Sequence, residues 1–303
     1  MDDLVQANLY LAAKDIKKDF CSMNVKERSS YKHNTLKVLK ESSPSLNSES
    51  TLITKSGDWG IKCSNSLDPI TGEMCYYYRI EDATRGGVFI PIEIDSIKNG
   101  VKRWYTTNLY QNLGENVYPL PLTHKSGDDF DFPEGVVKNK FCYANFSMTC
   151  PYRIRVAEWV VSTNQDINYY FPERYSGQKV ELDMPFMESH RLSVRDFLTE
   201  LASHKFAICP MGNGLDTYRT WESIAVDTVP IVQDSWMSRV FSKIWPMIIV
   251  KRYELTNITT LMNAFYEKYG EIVYDKSLLE ERNIKDLLDR IEYESNRIRR
   301  SGV

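Results

Sequence analysis

Residues 206–232, FAICPMGNGLDTYRTWESIAVDTVPIV, constrain the fold of this chain more than any other stretch. A short apolar run (206–209) has the length and composition of a buried strand, a loop with two glycines leaves it, and a helix-compatible stretch follows. A second apolar run, 229–232, closes the unit. Strand, glycine loop, helix and strand in that order imply a parallel sheet covered by helices.

The rest of the second half repeats this alternation. Residues 140–146 and 247–250 read as strands, and 152–162, 194–203 and 217–226 as helices. The first half is strand-rich, with candidates at 52–54, 74–80, 87–94 and 102–107, each closed by Gly, Asp or Asn. A lysine-rich helical opening and a serine-rich loop at 42–50 precede them. Between the halves, THKSGDDFDFPEGVVKN (123–139) has the polar, Gly- and Pro-containing character of a segment between domains. The expected division is 1–130, 131–275 and a C-terminal amphipathic helix over 276–303, whose basic end at Arg297, Arg299 and Arg300 reads as a solvated turn complementing the helix dipole.

Composition limits the classes available. With 42% hydrophobic and 26% charged residues over 303 positions, the chain has enough apolar surface for two compact domains, which excludes disorder as its main state. The net charge of −3 shows no broad basic excess toward a polyanion. No apolar run approaches the roughly 18 to 20 residues of a bilayer span. The acidic start, MDDLV, lacks the basic flank and apolar core of a secretory signal, so a cytoplasmic location is expected. Six cysteines without CxxC spacing read as reduced, buried thiols rather than a zinc cluster.

The chemistry concentrates after Pro210. Glycines at 212 and 214 let the backbone approach a ligand, and a helix starting near Asp216 or Thr217 would turn its free N–H groups toward the loop, a ready site for a diphosphate. Asp216, Arg219 and Glu222 recur every three residues on one helix face. Arg219 offers the forked donor that phosphate favours, and Glu222 a carboxylate able to accept ribose hydroxyls. The same spacing also fits a helix cap at Asp216 and a surface ion pair between Arg219 and Glu222. The dinucleotide fingerprint is incomplete because Thr217 stands where a third glycine would be needed, which disfavours a nicotinamide enzyme.

Other residues fit a site less well. The run Asp128, Asp129 and Asp131 lies in the connector without a strand pattern, and His124, His190 and His204 are isolated along the chain, so no metal site is expected. In KSGDWG (55–60), Asp58 follows a first-domain strand and is a candidate general base, although an aspartate between glycines equally suits a turn.

The block CPMGNGLDTYRTWESIAVDTVPIV resembles the signature of exostosin-like glycosyltransferases, a Pro-x-Gly-x-Gly-x-Asp-x-x-Arg-x-Trp-Glu run that ends in Pro-Ile-Val. YANFSMTCPYR (143–153) resembles the strand and arginine-bearing turn that precede it in that family. WYTTN (104–108) with YPLPL (118–122) resembles the end of the family's first domain. These blocks run through the C-terminal two thirds of the chain. Asp227 departs from the pattern, standing where relatives commonly have glycine, and no Golgi-type anchor is evident, which points toward a bacterial or viral cytoplasmic member.

The resemblance implies an α/β, GT-B-like architecture, two Rossmann-like domains facing a central cleft. The C-terminal domain would hold a UDP- or GDP-sugar, with no further cofactor required. Gly212, Asn213, Gly214, Asp216, Thr217, Arg219 and Glu222 take the donor-binding positions, with Arg153 or Arg155 as an additional phosphate cation. The implied activity is metal-independent sugar transfer to an acceptor hydroxyl, inverting if Asp58 is the base. A glycan is the expected acceptor. A phage-type enzyme acting on hydroxymethylated DNA bases is the alternative, with the basic opening as its duplex contact. A nucleotide-sugar binding module without catalysis is the alternative of another class.

Overall fold

The computed structural model describes residues 4–7, 47–54, 61–63, 76–80, 88–91, 94–109, 112–123, 132–172, 187–188, 192–212, 214–280 and 283–302. The chain divides into two units, Met1–Pro121 with Leu288–Val303, and Leu122–Leu287. The division falls just before the polar segment that composition singles out. The C-terminal stretch does not stand by itself, because its residues from Leu288 onward belong to the first unit.

In the first unit, β1 (Leu4–Ala7) and β2 (Thr51–Thr54) pair in parallel. An antiparallel sheet follows, made of β3 (Ile61–Cys63), β4 (Tyr76–Ile80) and β5 (Val88–Pro91). Helix α1 (Ile94–Gly100) leads into β6 (Arg103–Thr106) and then β7 (Val117–Pro119), which complete a parallel sheet in the order β1-β2-β6-β7. Successive β6 residues Trp104 and Tyr105 are both buried, so both faces of this sheet are covered, as parallel sheets require.

The second unit carries a five-stranded parallel sheet. Its elements run β8 (Lys140–Ala144), α2 (Pro151–Ser162), β9 (Ile167–Tyr169), the short pair β10 (Phe171–Pro172) and β11 (Met187–Glu188), α3 (Val194–Ala202) and β12 (His204–Ile208). There follow α4 (Tyr218–Ala225), β13 (Val229–Gln233), α5 (Trp236–Phe241), β14 (Ile248–Val250) and α6 (Ile258–Tyr269). In space the order is β14-β13-β12-β8-β9. The chain therefore moves outward from β8 to β9, returns past β8 to β12, and continues the other way. This is a doubly wound, Rossmann-like sheet, whose direction reverses between β8 and β12.

One core joins Cys142, Ala144, Phe206, Ile208, Ile231 and Ile248 of the sheet to Val156, Ala157 and Val160 of α2 and Ile258 and Met262 of α6. Elsewhere in the unit, Trp221, Phe241 and Trp245 meet edge to face with centroids 5.3 to 6.2 Å apart, contacts worth about 0.5–1.5 kcal/mol per pair beyond area burial. Cys142 and Cys209 are buried, and burial pushes the Cys209 thiol up to about 12, in keeping with unreactive structural cysteines.

In helix α7 (Ile284–Ser301) the basic end is solvated at Arg297 and Arg300, as expected, but not at Arg299. Leu288, Ile291 and Ile298 are buried. Arg103 and Tyr105 both donate to Glu292, at 2.9 and 3.2 Å. Arg299 donates to the carbonyls of Glu115 and Val117 and to Asn112 Oδ1, and lies over the Tyr118 ring. The open carbonyls before and within β7 give Arg299 more than a helix dipole does, so this arginine closes the first unit.

Asp227 takes the left-handed conformation, φ 58°, directly after the C-cap of α4. This geometry favours glycine. The aspartate is held there because its carboxylate accepts from Tyr274 N at 2.9 Å and from Lys276 Nζ at 2.8 Å. The turn before β13 thus takes the conformation a glycine would give it.

Candidate functional site

Ligands of open α/β sheets bind outside the carboxyl ends of the strands where the winding reverses, because there the flanking loops diverge and leave a crevice. In the second unit that point lies between the ends of β8 and β12. The loops leaving them are 145–150 and 209–217, so the glycine-containing loop leaves the sheet at this crevice.

Arg153, on the first turn of α2, ties the two loops together. It donates to Ser147 O at 3.1 Å, Pro210 O at 3.1 Å and Met211 O at 3.2 Å. Gly212 lies directly against this guanidinium, and a Cβ there would sit 2.8 Å from Cζ and Nη2. The requirement for glycine at 212 is thus the space taken by Arg153. The loop is pinned further by Met211 N donating to Gln233 Oε1 and Gly212 N donating to Gly214 O. Arg155, the alternative cation, is exposed and lies over the Tyr152 ring. Of the two arginines it is Arg153 that meets the loop after β12, and it does so through the loop's carbonyls.

Asp216 anchors the head of α4. Buried, it accepts from Leu122 N at 2.8 Å, Thr217 N at 2.9 Å and the Trp221 indole at 2.8 Å. Burial pushes its carboxyl up to about 7 even though these donors oppose the shift. Thr217 occupies the N-cap position, yet its hydroxyl makes no cap bond and lies 3.5 Å from Thr220 Oγ1. The first turn of α4 is therefore not capped by its own N-cap side chain, which suits a helix head presented to an anion.

In the first turn of α4, Arg219 is only 16% exposed in its side chain, and its Cζ lies 3.7 Å from the centroid of Phe197 on α3. Nε and Nη1 are buried and find no hydrogen-bond acceptor. The nearest carboxylate, Glu222 Oε2, stands 3.7 Å from Nε, an ion pair too long for a hydrogen bond. Buried donors without acceptors cost about 1–3 kcal/mol each, more when charged, a cost that a group supplying acceptors would relieve. Glu222 is itself 8% exposed. The Arg219–Glu222 ion pair that the spacing also fits is therefore present, but both side chains are largely buried and not at the surface.

Tyr143, on β8, stacks on His204 and accepts a hydrogen bond from Asn145 Nδ2 at 2.9 Å. Burial pushes its phenol up to about 12, while the Asn145 bond and the Arg219 charge act the other way. His204 is buried and its imidazole is pushed down by that burial.

The loop after β12 and the head of α4 thus bring together Gly212, Gly214, Asp216, Thr217, Arg219 and Glu222, with Arg153 behind the loop. Asn213, Asp58, His124, His190 and the carboxylates at 128–131 lie outside the described residues. Among the described residues no group of three or more His, Cys, Asp or Glu could hold a metal ion, and no helix is long and apolar enough to cross a membrane. Phe197 carries no sequence signal, since a phenylalanine in an amphipathic helix reads as core. No protein-family model matches the chain, and no curated protein matches it significantly.

Proposed function

We propose that this protein transfers a sugar from a nucleoside diphosphate donor to an acceptor hydroxyl, with the donor held by the second unit at the reversal of its sheet. The observation that carries this reading is Arg219, a largely buried cation with two N–H donors lacking acceptors, beside a helix head that its N-cap side chain leaves open. A diphosphate supplies what both lack: negative charge and several acceptor oxygens. Glu222, next along the same face, would accept ribose hydroxyls. In this reading Arg153 and Asp216 shape the loop and the helix head, while Arg219 and Glu222 meet the ligand.

The chemistry follows from charge. As the glycosidic bond to the donor breaks, negative charge grows on the departing diphosphate, and preorganised donors at that position lower the barrier. Arg219 fills that role. The acceptor hydroxyl loses its proton to a base, for which Asp58 is the candidate, and direct displacement then inverts the anomeric centre. The two units would form the halves of a GT-B enzyme, as the exostosin-like resemblance implies, with a glycan as acceptor and the cytoplasm as the setting.

A panel of UDP- and GDP-sugars screened for thermal stabilisation tests the reading. A ligand at a hundred times its dissociation constant stabilises the native state by about 2.7 kcal/mol. One preferred donor should raise the melting temperature clearly in the wild type and not in Arg219→Ala. A flat response across the panel would count against the function; stabilisation without sugar transfer to any acceptor would leave a binding module.

A further inference from the structure

A guanidinium that binds phosphate must present the edge of its plane, because its N–H bonds lie in that plane. Something must therefore fix the plane of Arg219. Its neighbour on α4, Glu222, is at 3.7 Å from Nε and makes no hydrogen bond to it. Were that pair to close to the usual 2.7–2.9 Å of a charged hydrogen bond, it would occupy Nε, one of the two donors that stand without acceptors.

The contact at the right distance is to Phe197. Arg219 Cζ is 3.7 Å from the ring centroid, a separation at which the cation rests on the ring itself. A flat cation resting on a ring keeps its N–H edges directed away from that ring. Phe197 belongs to α3 and Arg219 to α4, two helices that pack together, so the support comes from a neighbouring element and not from the flexible stem of the arginine.

We propose that Phe197 is a positioning residue: its ring sets the plane of Arg219 so that Nε and Nη1 face the diphosphate of the donor. The assignment rests on the nucleotide-sugar reading given above. It distinguishes Phe197 from an ordinary core residue, whose role any apolar side chain of similar volume would fill. Leucine would keep the packing without offering a π face; tyrosine would keep the face.

The test is calorimetric titration of UDP and of GDP into the full chain, as wild type, Arg219→Ala, Phe197→Leu and Phe197→Tyr, with circular dichroism to verify folding. Phe197→Leu should weaken binding of the nucleotide that the wild type binds by roughly 3- to 30-fold, the range of a partly desolvated cation–π contact, while Phe197→Tyr stays within about twofold. Arg219→Ala should weaken it at least as much as Phe197→Leu. If Arg219→Ala weakens binding but Phe197→Leu does not, the positioning role is refuted and the function reading stands. Equal losses in Leu and Tyr would mark Phe197 as packing only. A wild type that binds neither nucleotide overturns the function reading and the assignment together.

Discussion

Gly212→Ala probes the contact between the glycine loop and Arg153. The new Cβ would lie 2.8 Å from Cζ and Nη2 and 3.1 Å from Nε. Carbon atoms rest at about 3.5–4.0 Å, so something must move by more than half an ångström. Gly212 is not among the positive-φ residues, so the cost is one of space and not of backbone conformation. The guanidinium cannot yield freely, because it donates to three carbonyls on two loops. Hydrogen bonds from charged groups contribute about 1.5–3 kcal/mol each, and losing one of them, with the usual overpacking cost of about 1–3 kcal/mol, gives about 2.5–6 kcal/mol. Urea unfolding of Gly212→Ala, Arg153→Ala and the double variant measures this directly. Removing the arginine should relieve the clash, so the alanine at 212 should cost less than about 1 kcal/mol in the Arg153→Ala background. Effects that add to within about 0.5 kcal/mol would show that the two residues do not press on each other.

Other expectations concern neighbouring parts of the second unit and the acceptor side. Asp216, its carboxyl raised by burial from an ordinary 3.8 to about 7, holds a proton at pH 5 that the unfolded chain has already released. Its contribution to stability should therefore fall by about 2.7 kcal/mol from pH 5 to pH 8. The difference in unfolding free energy between wild type and Asp216→Asn should show this slope; a pH-independent difference would place the ionisation elsewhere. Asp227→Ala loses the Tyr274 and Lys276 contacts and forces a left-handed alanine, a cost of about 2 kcal/mol, whereas asparagine, at home in that conformation, should cost under about 1 kcal/mol. Equal melting temperatures for the two variants would contradict this account of the turn. Asp58→Asn should retain nucleotide binding and lose sugar transfer, and undiminished turnover would eliminate it as the base.

Much of the second unit was legible because strand and helix alternate there with clear periodicity. The runs at 140–146 and 206–209 appear as β8 and β12, and the helices at 152–162, 194–203 and 217–226 as α2, α3 and α4, each within a residue or two. Helix α5 is only six residues long and begins from a Ser235–Ser238 capping box, too little length for periodicity to show. Helix α6 is hard to read because three β-branched residues, Ile258, Thr259 and Thr260, open it and weaken its helical signal.

The candidate site divides in the same way. Its loop and helix head follow from local composition, so Gly212, Asp216 and Arg219 could be singled out. What each does there depends on partners distant in the chain. Asp216 is tied to Leu122, Arg153 to the carbonyls beside Gly212, and Arg219 to Phe197 on another helix. A sequence pattern shows which residue types share a turn. It does not show which of them the fold has already satisfied, and that difference separates Asp216 and Arg153 from Arg219.

The most direct measurement is a crystal structure of the protein soaked with UDP or GDP. Diphosphate oxygens are expected within hydrogen-bonding distance of Arg219 Nε and Nη1, at the head of α4, with the ribose toward Glu222. A nucleotide bound away from the loop after β12, or Arg219 unchanged and still without an acceptor beside a bound diphosphate, would contradict this expectation.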